Sequence, residues 1–171
     1  MMVGLSLPSP VLGLTTDLTN DPAKTVKKYL SLDKRGARLH ASTSEALQPY
    51  IAWPHEPAWG HIVIIDQIQV QDDIRLWDVV SAVEAVIPVT FRILGAMQWE
   101  TATFLSKPRT ETMPFRVRAI DNHWKIVEPM LPPHVGKNRL MDHIRLAWLK
   151  ETDTGRKERL DNLWKTLDNT Q

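Results

Sequence analysis

Residues 79–100 of this 171-residue chain read VVSAVEAVIPVTFRILGAMQWE, a long β-type pattern interrupted by one proline. At a period of two, one face is apolar and consists of Val79, Val83, Ala85, Ile87, Val89, Phe91 and Ile93. The opposite face is mixed and contains Glu84, Pro88, Thr90 and Arg92. Because side chains alternate across a strand, the pattern predicts one long strand with a single buried face. Pro88 has no N–H to donate and Gly95 has no side chain, so we expect a bend at each.

Further β-type segments follow the same logic on both sides of this stretch. Alternating apolar residues predict strands over residues 61–71, 97–105, 113–120 and 123–127. The polar segment 106–112, SKPRTET, is typical of a hairpin tip. The residues before and after these segments are helical in pattern, with predicted helices at 23–32, 44–53, 136–149 and 154–167. The first of them has Asp21 or Asn20 as N-cap, Pro22 in its first turn and Gly36 as its stop.

Composition excludes several classes of protein. The 21 basic residues nearly balance the 20 acidic ones, so the chain has no electrostatic footprint for nucleic acid. The absence of cysteine excludes disulfides and thiol nucleophiles. No apolar run has the length of a membrane span. No glycine-rich nucleotide fingerprint or Ser-His-Asp set is recognisable, so we expect no cofactor, and we predict no metal site.

Residues 1–20 are expected to form a flexible N-terminal tail. The first 14 residues are mildly apolar but contain two prolines and no Lys or Arg. A secretory signal needs a basic start and a longer apolar stretch, so a truncated export signal is the alternative. A cytoplasmic location is favoured under the first interpretation and export under the second.

Three phrases resemble a known family. They are YLSLDKRGARL at 29–39, VTFRILG at 89–95, and FRVRAIDNHWKIVEP at 115–129, which is the most specific of the three. Together they resemble the nuclear transport factor 2-like, or SnoaL-like, superfamily over residues 21–135. The resemblance implies an α+β fold in which N-terminal helices pack on a strongly curved antiparallel sheet, forming a cone with a pocket. Residues 136–171 are then an appended C-terminal helical extension.

The superfamily includes both binding modules and enzymes, so the resemblance leaves function open. The first hypothesis is a domain for binding a small apolar ligand or for assembly, with a pocket lined by apolar and tryptophan side chains. The expected ligand-binding residues are Tyr29, Asp33, Trp53, Trp59, Phe91 and Trp99. A homodimer is expected through the outer sheet face, with Glu84, Thr90 and Arg92, or through the C-terminal helices, with Leu160, Leu163, Trp164 and Leu167. The alternative is an isomerase- or dehydratase-type enzyme.

Asp66 is the candidate catalytic residue of that alternative. It lies between Ile64 and Ile68 in an alternating strand, which predicts a carboxylate facing an apolar interior. Desolvation there would raise its pKa and suit it to proton transfer. The resemblance implies an acidic general base of this kind. The competing interpretation is that a bulge turns Asp66 outward, or that the carboxylate pairs with an arginine.

Three other sets of polar residues have a structural alternative beside the functional one. Asp33 is phased toward the sheet, or else forms a salt bridge with Arg38 or contacts nearby lysines. His55, Glu56 and His61 lie close enough in sequence for a metal, but their spacing is more typical of a solvated loop. The arginines Arg92, Arg116 and Arg118 bind an anion if they line the pocket, and are solvated or interfacial if they lie on the outer face.

Overall fold

The first helix begins and ends within two residues of its predicted bounds, 23–32. In this computed structural model, which describes residues 21–170, α1 spans Pro22–Lys34. The Asp21 side chain accepts a hydrogen bond from the Ala23 N–H at 2.9 Å and caps the helix. After the helix, Gly36 adopts φ +82°, a left-handed conformation that glycine reaches without steric cost. The predicted tail at 1–20 lies outside the described residues.

The predicted helix at 44–53 is wrong in type. A 3-10 turn at Ala37–Leu39 leads into the four-residue α2, Ala41–Ser44, and a second 3-10 segment follows at Glu45–Tyr50. Pro49 lies inside that second segment. A proline disfavours the α conformation of the residue before it and has no N–H to donate, which agrees with the absence of an α-helix here.

Within residues 21–170, six strands form one mixed, strongly curved sheet that makes a half-barrel. The strands are β1 (His61–Val70), β2 (Asp78–Ser81), β3 (Glu84–Gln98), β4 (Thr103–Ile120), β5 (His123–Glu128) and β6 (His134–Gly136). A 3-10 turn at Ile74–Leu76 precedes β2. The order is β5-β4-β3-β1-β6, and β2 pairs with β3 beyond the end of β1. The predicted sheet was antiparallel throughout, whereas β6 runs parallel to β1, because residues 129–133 connect β5 at one edge of the sheet to β6 at the other edge and do not form a hairpin.

Residues 79–100 therefore contain the end of β2, a two-residue hairpin turn and β3, and do not form one strand. Val79 belongs to β2 and is 55% exposed, whereas the predicted buried face holds from Ala85 to Ile93. The predicted hairpin tip at 106–112 is also wrong, because those residues continue β4, which pairs with β3 along its length. Most β4 side chains from Thr103 to Glu111 are exposed, so a solvated strand has the polar composition of a turn.

The bend at Gly95 is confirmed, and Pro88 is accommodated without one. The register shifts at Leu94 against both β1 and β4, and a Cβ on Gly95 would lie 2.3 Å from the Leu105 carbonyl oxygen. Pro88 lies directly opposite Pro114 in an unbroken register. The Pro88 carbonyl accepts a hydrogen bond from the Gln71 N–H, on the side of β1 and away from β4. Pro88 and Pro114 are therefore a non-hydrogen-bonded pair, in which neither residue has to donate to the other.

The two faces of the sheet have separate cores. On one face, α1 and the 3-10 segments cover the inward residues of β3 and β4, including Phe91 and Phe115. On the other face lie α3 (Lys137–Lys150) and α4 (Thr154–Asp168). Ile64 belongs to this second core and its neighbour Ile65 to the first, as expected for adjacent strand residues. Within residues 21–170, no helix combines the length and hydropathy that a bilayer crossing requires.

The apolar stripe of α4 packs within the chain. Leu160, Leu163 and Leu167 are each at most 3% exposed and join Leu140 and Ile144 of α3 in the second core. Burial of these leucines leaves only Trp164 of the predicted oligomerisation stripe partly accessible.

Candidate functional site

A groove of about 580 Å³ lies where the 3-10 segments, the loop before β1 and α3 meet. Four of the six histidines of the chain line it, and we call it the histidine groove. Its lining also includes two of the tryptophans predicted to bind a ligand. The polar and aromatic part of the lining includes Arg38, His40, Glu56, Trp59, Trp99 and His143.

Three aromatic rings form a row along this groove. The Trp99 and His143 ring centroids are 4.9 Å apart with the planes tilted by 43°. His40 meets His143 edge-on at 4.8 Å. Burial lowers the pKa of His143, and the neighbouring His40, Arg139 and Lys150 lower it further. His143 is therefore neutral at pH 7 and has one ring N–H donor and one acceptor nitrogen beside the ring of Trp99.

Behind the groove, Arg38 anchors a buried polar network. Its Nε donates to Asp33 Oδ1 at 2.9 Å and its Nη2 to Asp33 Oδ2 at 2.6 Å, a bidentate ion pair. Its Nη1 donates to Glu56 Oε2 at 2.9 Å. Asp33 also accepts from the backbone N–H of His134 at 2.9 Å. The Arg38 and Asp33 side chains are only 5% and 1% exposed.

The remaining donors of Arg38 bond to the segment that enters β6. Nη1 donates to the Leu131 carbonyl at 2.7 Å and Nη2 to the Pro132 carbonyl at 3.1 Å. All five guanidinium N–H groups thus have an acceptor. Burial acts to lower the pKa of Arg38, but the hydrogen bond and charge of Asp33, with Tyr29 and Glu56 nearby, hold that pKa above its usual value.

Glu56 connects this network to two tryptophans of the loop before β1. It accepts from Trp53 Nε1 at 3.1 Å and from Trp59 Nε1 at 3.4 Å. Tyr29 meets Trp53 edge-on at 6.4 Å, and the Arg38 guanidinium lies 5.8 Å from the Tyr29 ring centroid. The loop at 53–60 is therefore held by hydrogen bonds to a buried ion pair, which restricts the groove wall.

The structure divides the predicted ligand-binding residues into two groups. Trp59 and Trp99 line the histidine groove. Three others, Tyr29, Asp33 and Trp53, lie behind it and reach it through Arg38 and Glu56. Asp33 forms the ion pair with Arg38 that was its alternative interpretation. Phe91 lies deeper, fully buried in the first core.

Two buried polar atoms next to this network have no hydrogen-bond partner among the described residues. They are Tyr29 Oη and His134 Nε2. The other ring nitrogen of His134 contacts the Pro132 carbonyl at 2.7 Å, and its ring packs against Phe91 at 4.9 Å. Burial raises the pKa of the Tyr29 hydroxyl and lowers the pKa of His134, so both are neutral at pH 7.

Asp66 lies in a β-bulge away from this groove. Between Ile65 and Gln67 the register of β1 against β3 advances past Asp66, which has no partner on β3. Its side chain is 43% exposed, and Oδ2 lies 3.2 Å from Arg92 Nη1. Both parts of the competing interpretation, a bulge and an arginine partner, are present. The enclosed apolar surroundings that the general-base hypothesis requires are not found around this carboxylate.

The other polar candidates are paired elsewhere. The carboxylates Glu84 and Glu128 pair with Arg116, and Glu84 also pairs with Arg118, on an exposed part of the sheet. Glu56 is engaged by Arg38 and two indoles, whereas His55 and His61 are exposed groove residues. Among residues 21–170, no three His, Asp or Glu side chains are placed to hold a metal ion.

Sequence reasoning missed the residues that organise the groove. Arg38 was considered only as a partner for Asp33, and His40 and His143 had no role. The signal for Arg38 was its position two residues after Gly36, where the chain turns back toward Asp33 at the end of α1. His40 and His143 are about a hundred residues apart, and nothing in their local sequence relates them. Comparisons with family models, curated proteins and solved structures found no match.

Proposed function

We propose that the protein is a small-molecule-binding domain of the nuclear transport factor 2-like type, and that its ligand occupies the histidine groove. The curved half-barrel covered by N-terminal helices is compatible with the cone of that superfamily. The observation that carries the proposal is the groove itself, with Trp59, Trp99 and four histidines around about 580 Å³. That volume lies within the usual range for ligand sites.

The lining favours a planar aromatic ligand with hydrogen-bonding atoms on its edge. Trp99 and His143 offer ring faces, and the imidazoles with Ser44 and Gln48 offer donors and acceptors. A strongly anionic ligand is disfavoured, because Arg38 already has an acceptor for every donor and Glu56 adds a carboxylate to the wall. The expected ligand is therefore neutral or weakly charged.

Ligand-observed NMR with a set of neutral aromatic compounds, such as indole and phenol derivatives, tests this role. We expect saturation transfer to several compounds with the wild-type chain and a loss of at least about fivefold in affinity for Trp99→Leu, because the stacking face is removed. Trp148→Leu is the matched control, since Trp148 packs between α3 and α4 outside the groove. Equal effects of the two variants, or no binding by the wild type, would contradict the proposal.

A second role, assembly as a homodimer, is favoured by one exposed apolar surface. Ile74, Leu76, Val79, Val80 and Val83 are each 37–60% exposed, and we call them the β2 patch. As adjacent strand residues, Val79 and Val80 lie on opposite faces of β2, and the five side chains together expose on the order of 400 Å² of apolar surface along this edge, a size at which patches mark interaction sites. Within residues 21–170, β2 pairs with β3 only, so its second edge presents free backbone groups.

A second copy is the occupant that suits this edge. Antiparallel pairing about a two-fold axis between Val79 and Val80 places Asp78 opposite the partner's Ser81, so no like charges face each other. β2 contains no proline or lysine, the residues that usually block such pairing. The surface is smaller than that of a stable dimer, which predicts a weak, concentration-dependent one.

Sedimentation velocity on variants with substitutions at exposed positions tests the dimer. Val80→Lys should shift the protein to monomer by placing a charge in the edge. Leu146→Lys, on an exposed position of α3 outside the β2 patch, should leave the equilibrium unchanged. A wild-type chain that stays monomeric at roughly 100 µM would exclude a dimer even in the weak range.

The enzyme alternative, with Asp66 as general base of an isomerase or dehydratase, remains a separate prediction. Asp66 borders a second groove, which is separate from the histidine groove. A screen for enolisation or dehydration of carbonyl compounds with wild type and Asp66→Asn tests it. Activity that survives Asp66→Asn would exclude Asp66 as the base.

A further inference from the structure

A second groove, of about 570 Å³, lies where the end of α1, β1, β3 and the start of α3 meet, and it is strongly basic. Four cationic side chains line it: Lys34 and Arg35 from the end of α1, and Lys137 and Arg139 from the first turn of α3. Ile65 and Leu94 form its buried floor. We call it the basic groove. It is separate from the histidine groove, and the two share no lining residue.

The four cations have no carboxylate partner within residues 21–170. Each instead donates to backbone carbonyls: Lys34 to Asp66 at 2.8 Å, Arg35 to Ser31 at 3.2 Å, Lys137 to Asp168 and Thr170, and Arg139 to Arg35 at 3.0 Å. The one carboxylate in the lining, that of Asp66, is paired outside the set with Arg92. Among residues 21–170, the groove thus has four positive charges in its lining and one negative charge, that of Asp66, which is already paired.

The side chains are held in place by the backbone packing. Lys34 lies across Gly136, where an added Cβ would come within 3.3 Å of Lys34 Cγ. Arg139 lies across Gly36 in the same way, at 3.3 Å from its Cγ. The Arg139 hydrogen bond uses only Nε, which leaves the two terminal nitrogens of the guanidinium fork available to a ligand.

The start of α3 adds to this field. Gly136 is the N-cap of the helix and has no side chain to accept from the first-turn amides. The free N–H groups and the helix dipole carry partial positive charge at the point where Lys137 and Arg139 project. A group with several anionic oxygens is the chemistry that matches a guanidinium fork, ammonium groups and helix amides together.

We propose that the basic groove binds a phosphate-bearing small molecule, with the phosphate group at the first turn of α3 between Lys34, Lys137 and Arg139. The site is independent of the histidine groove and of the ligand proposed for it. A groove of this size accommodates a phosphate group together with a small organic portion.

Isothermal titration calorimetry with inorganic phosphate and pyrophosphate tests the site, with sodium chloride adjusted to keep the ionic strength constant. The double variant Lys137→Gln/Arg139→Gln should bind these anions at least about tenfold more weakly, since it removes two charge-assisted donors. The double variant Arg145→Gln/Lys150→Gln is the matched control, with the same loss of charge on the same helix outside the groove. Its affinity should remain within about twofold of wild type.

Asp66→Asn provides a variant of opposite sign. Asp66 is half exposed, so its replacement preserves the fold, and removal of its charge should tighten phosphate binding about two- to threefold. Heat effects equal to those of chloride at the same ionic strength would overturn the proposal. So would equal losses in the two double variants, or binding unchanged in Asp66→Asn. Association with phosphatidic acid vesicles, without binding of soluble phosphate, would overturn the small-molecule assignment in favour of a lipid headgroup.

Discussion

Replacement of Arg38 by methionine is the most informative test of the network behind the histidine groove. Methionine keeps the length and much of the apolar contact of the arginine side chain but removes all five donors. The Asp33 carboxylate, 1% exposed, would retain only the His134 backbone N–H. The carbonyls of Leu131 and Pro132 would also lose their partner.

The expected cost follows from which charge is left buried. Glu56 is 20% exposed and can rehydrate, whereas Asp33 cannot do so without opening the core. Removal of one partner of a buried ion pair typically costs about 3–5 kcal/mol. For a chain of this size, that free energy corresponds to a fall in Tm of roughly 6–20 °C. It is also a large fraction of the usual total stability of about 5–15 kcal/mol.

Urea unfolding, followed by tryptophan fluorescence and far-UV circular dichroism, measures this difference in the free energy of unfolding. Arg116→Met is the matched control, because Arg116 also bridges two carboxylates, Glu84 and Glu128, but is 37% exposed. We expect that control to cost at most about 1 kcal/mol. Asp33→Asn combined with Arg38→Met should recover part of the loss, since it removes the unpaired charge. If Arg38→Met is no more destabilising than Arg116→Met, the ion pair does not have the structural role assigned to it.

Three further predictions concern the bend, the second core and pH. Gly95→Ala should destabilise the protein by about 1–3 kcal/mol, because the new Cβ meets the backbone of β4 at 2.3 Å, whereas Gly60→Ala, with open space around it, should be neutral in the same urea assay. Leu160→Ala should lower the free energy of unfolding by about 2–5 kcal/mol, because Leu160 is buried. Leu149, on α3, is 62% exposed, and Leu149→Ala should cost under 1 kcal/mol. Equal losses for the two variants in thermal unfolding would place the apolar stripe of α4 outside the core. Burial lowers the pKa of His134 below its usual 6.5. As the pH falls below 6.5, the imidazole therefore binds a proton more readily in the unfolded chain than in the folded one, and the free energy of unfolding decreases. His134→Gln should flatten this part of the curve of unfolding free energy between pH 7 and pH 5; a curve parallel to that of wild type would show that His134 does not contribute.

Local signals predicted the elements that depend on neighbouring residues. The N-cap at Asp21, the glycine stop at Gly36 and the α3 and α4 stripes each rest on residues within a few positions of one another, and the structure has them. The bend at Gly95 was also predictable, because a glycine inside a strand pattern is itself a signal for a bulge or a close backbone approach. The hairpin at Ser81 was missed, since Ala82 and Val83 continue the apolar alternation and give no turn signal.

The sequence by itself determined the α+β class and the buried face from Ala85 to Ile93, because alternation and composition act along the chain. Only the tertiary structure decided which polar side chains are partners. Arg38 bonds to carbonyls 93 and 94 residues away, and Asp33 to an amide 101 residues away. A single bulge residue at Asp66 changed the direction of a side chain that perfect alternation would have turned inward. Register and long-range closure are set by the packing of whole elements, and no short stretch of residues specifies them.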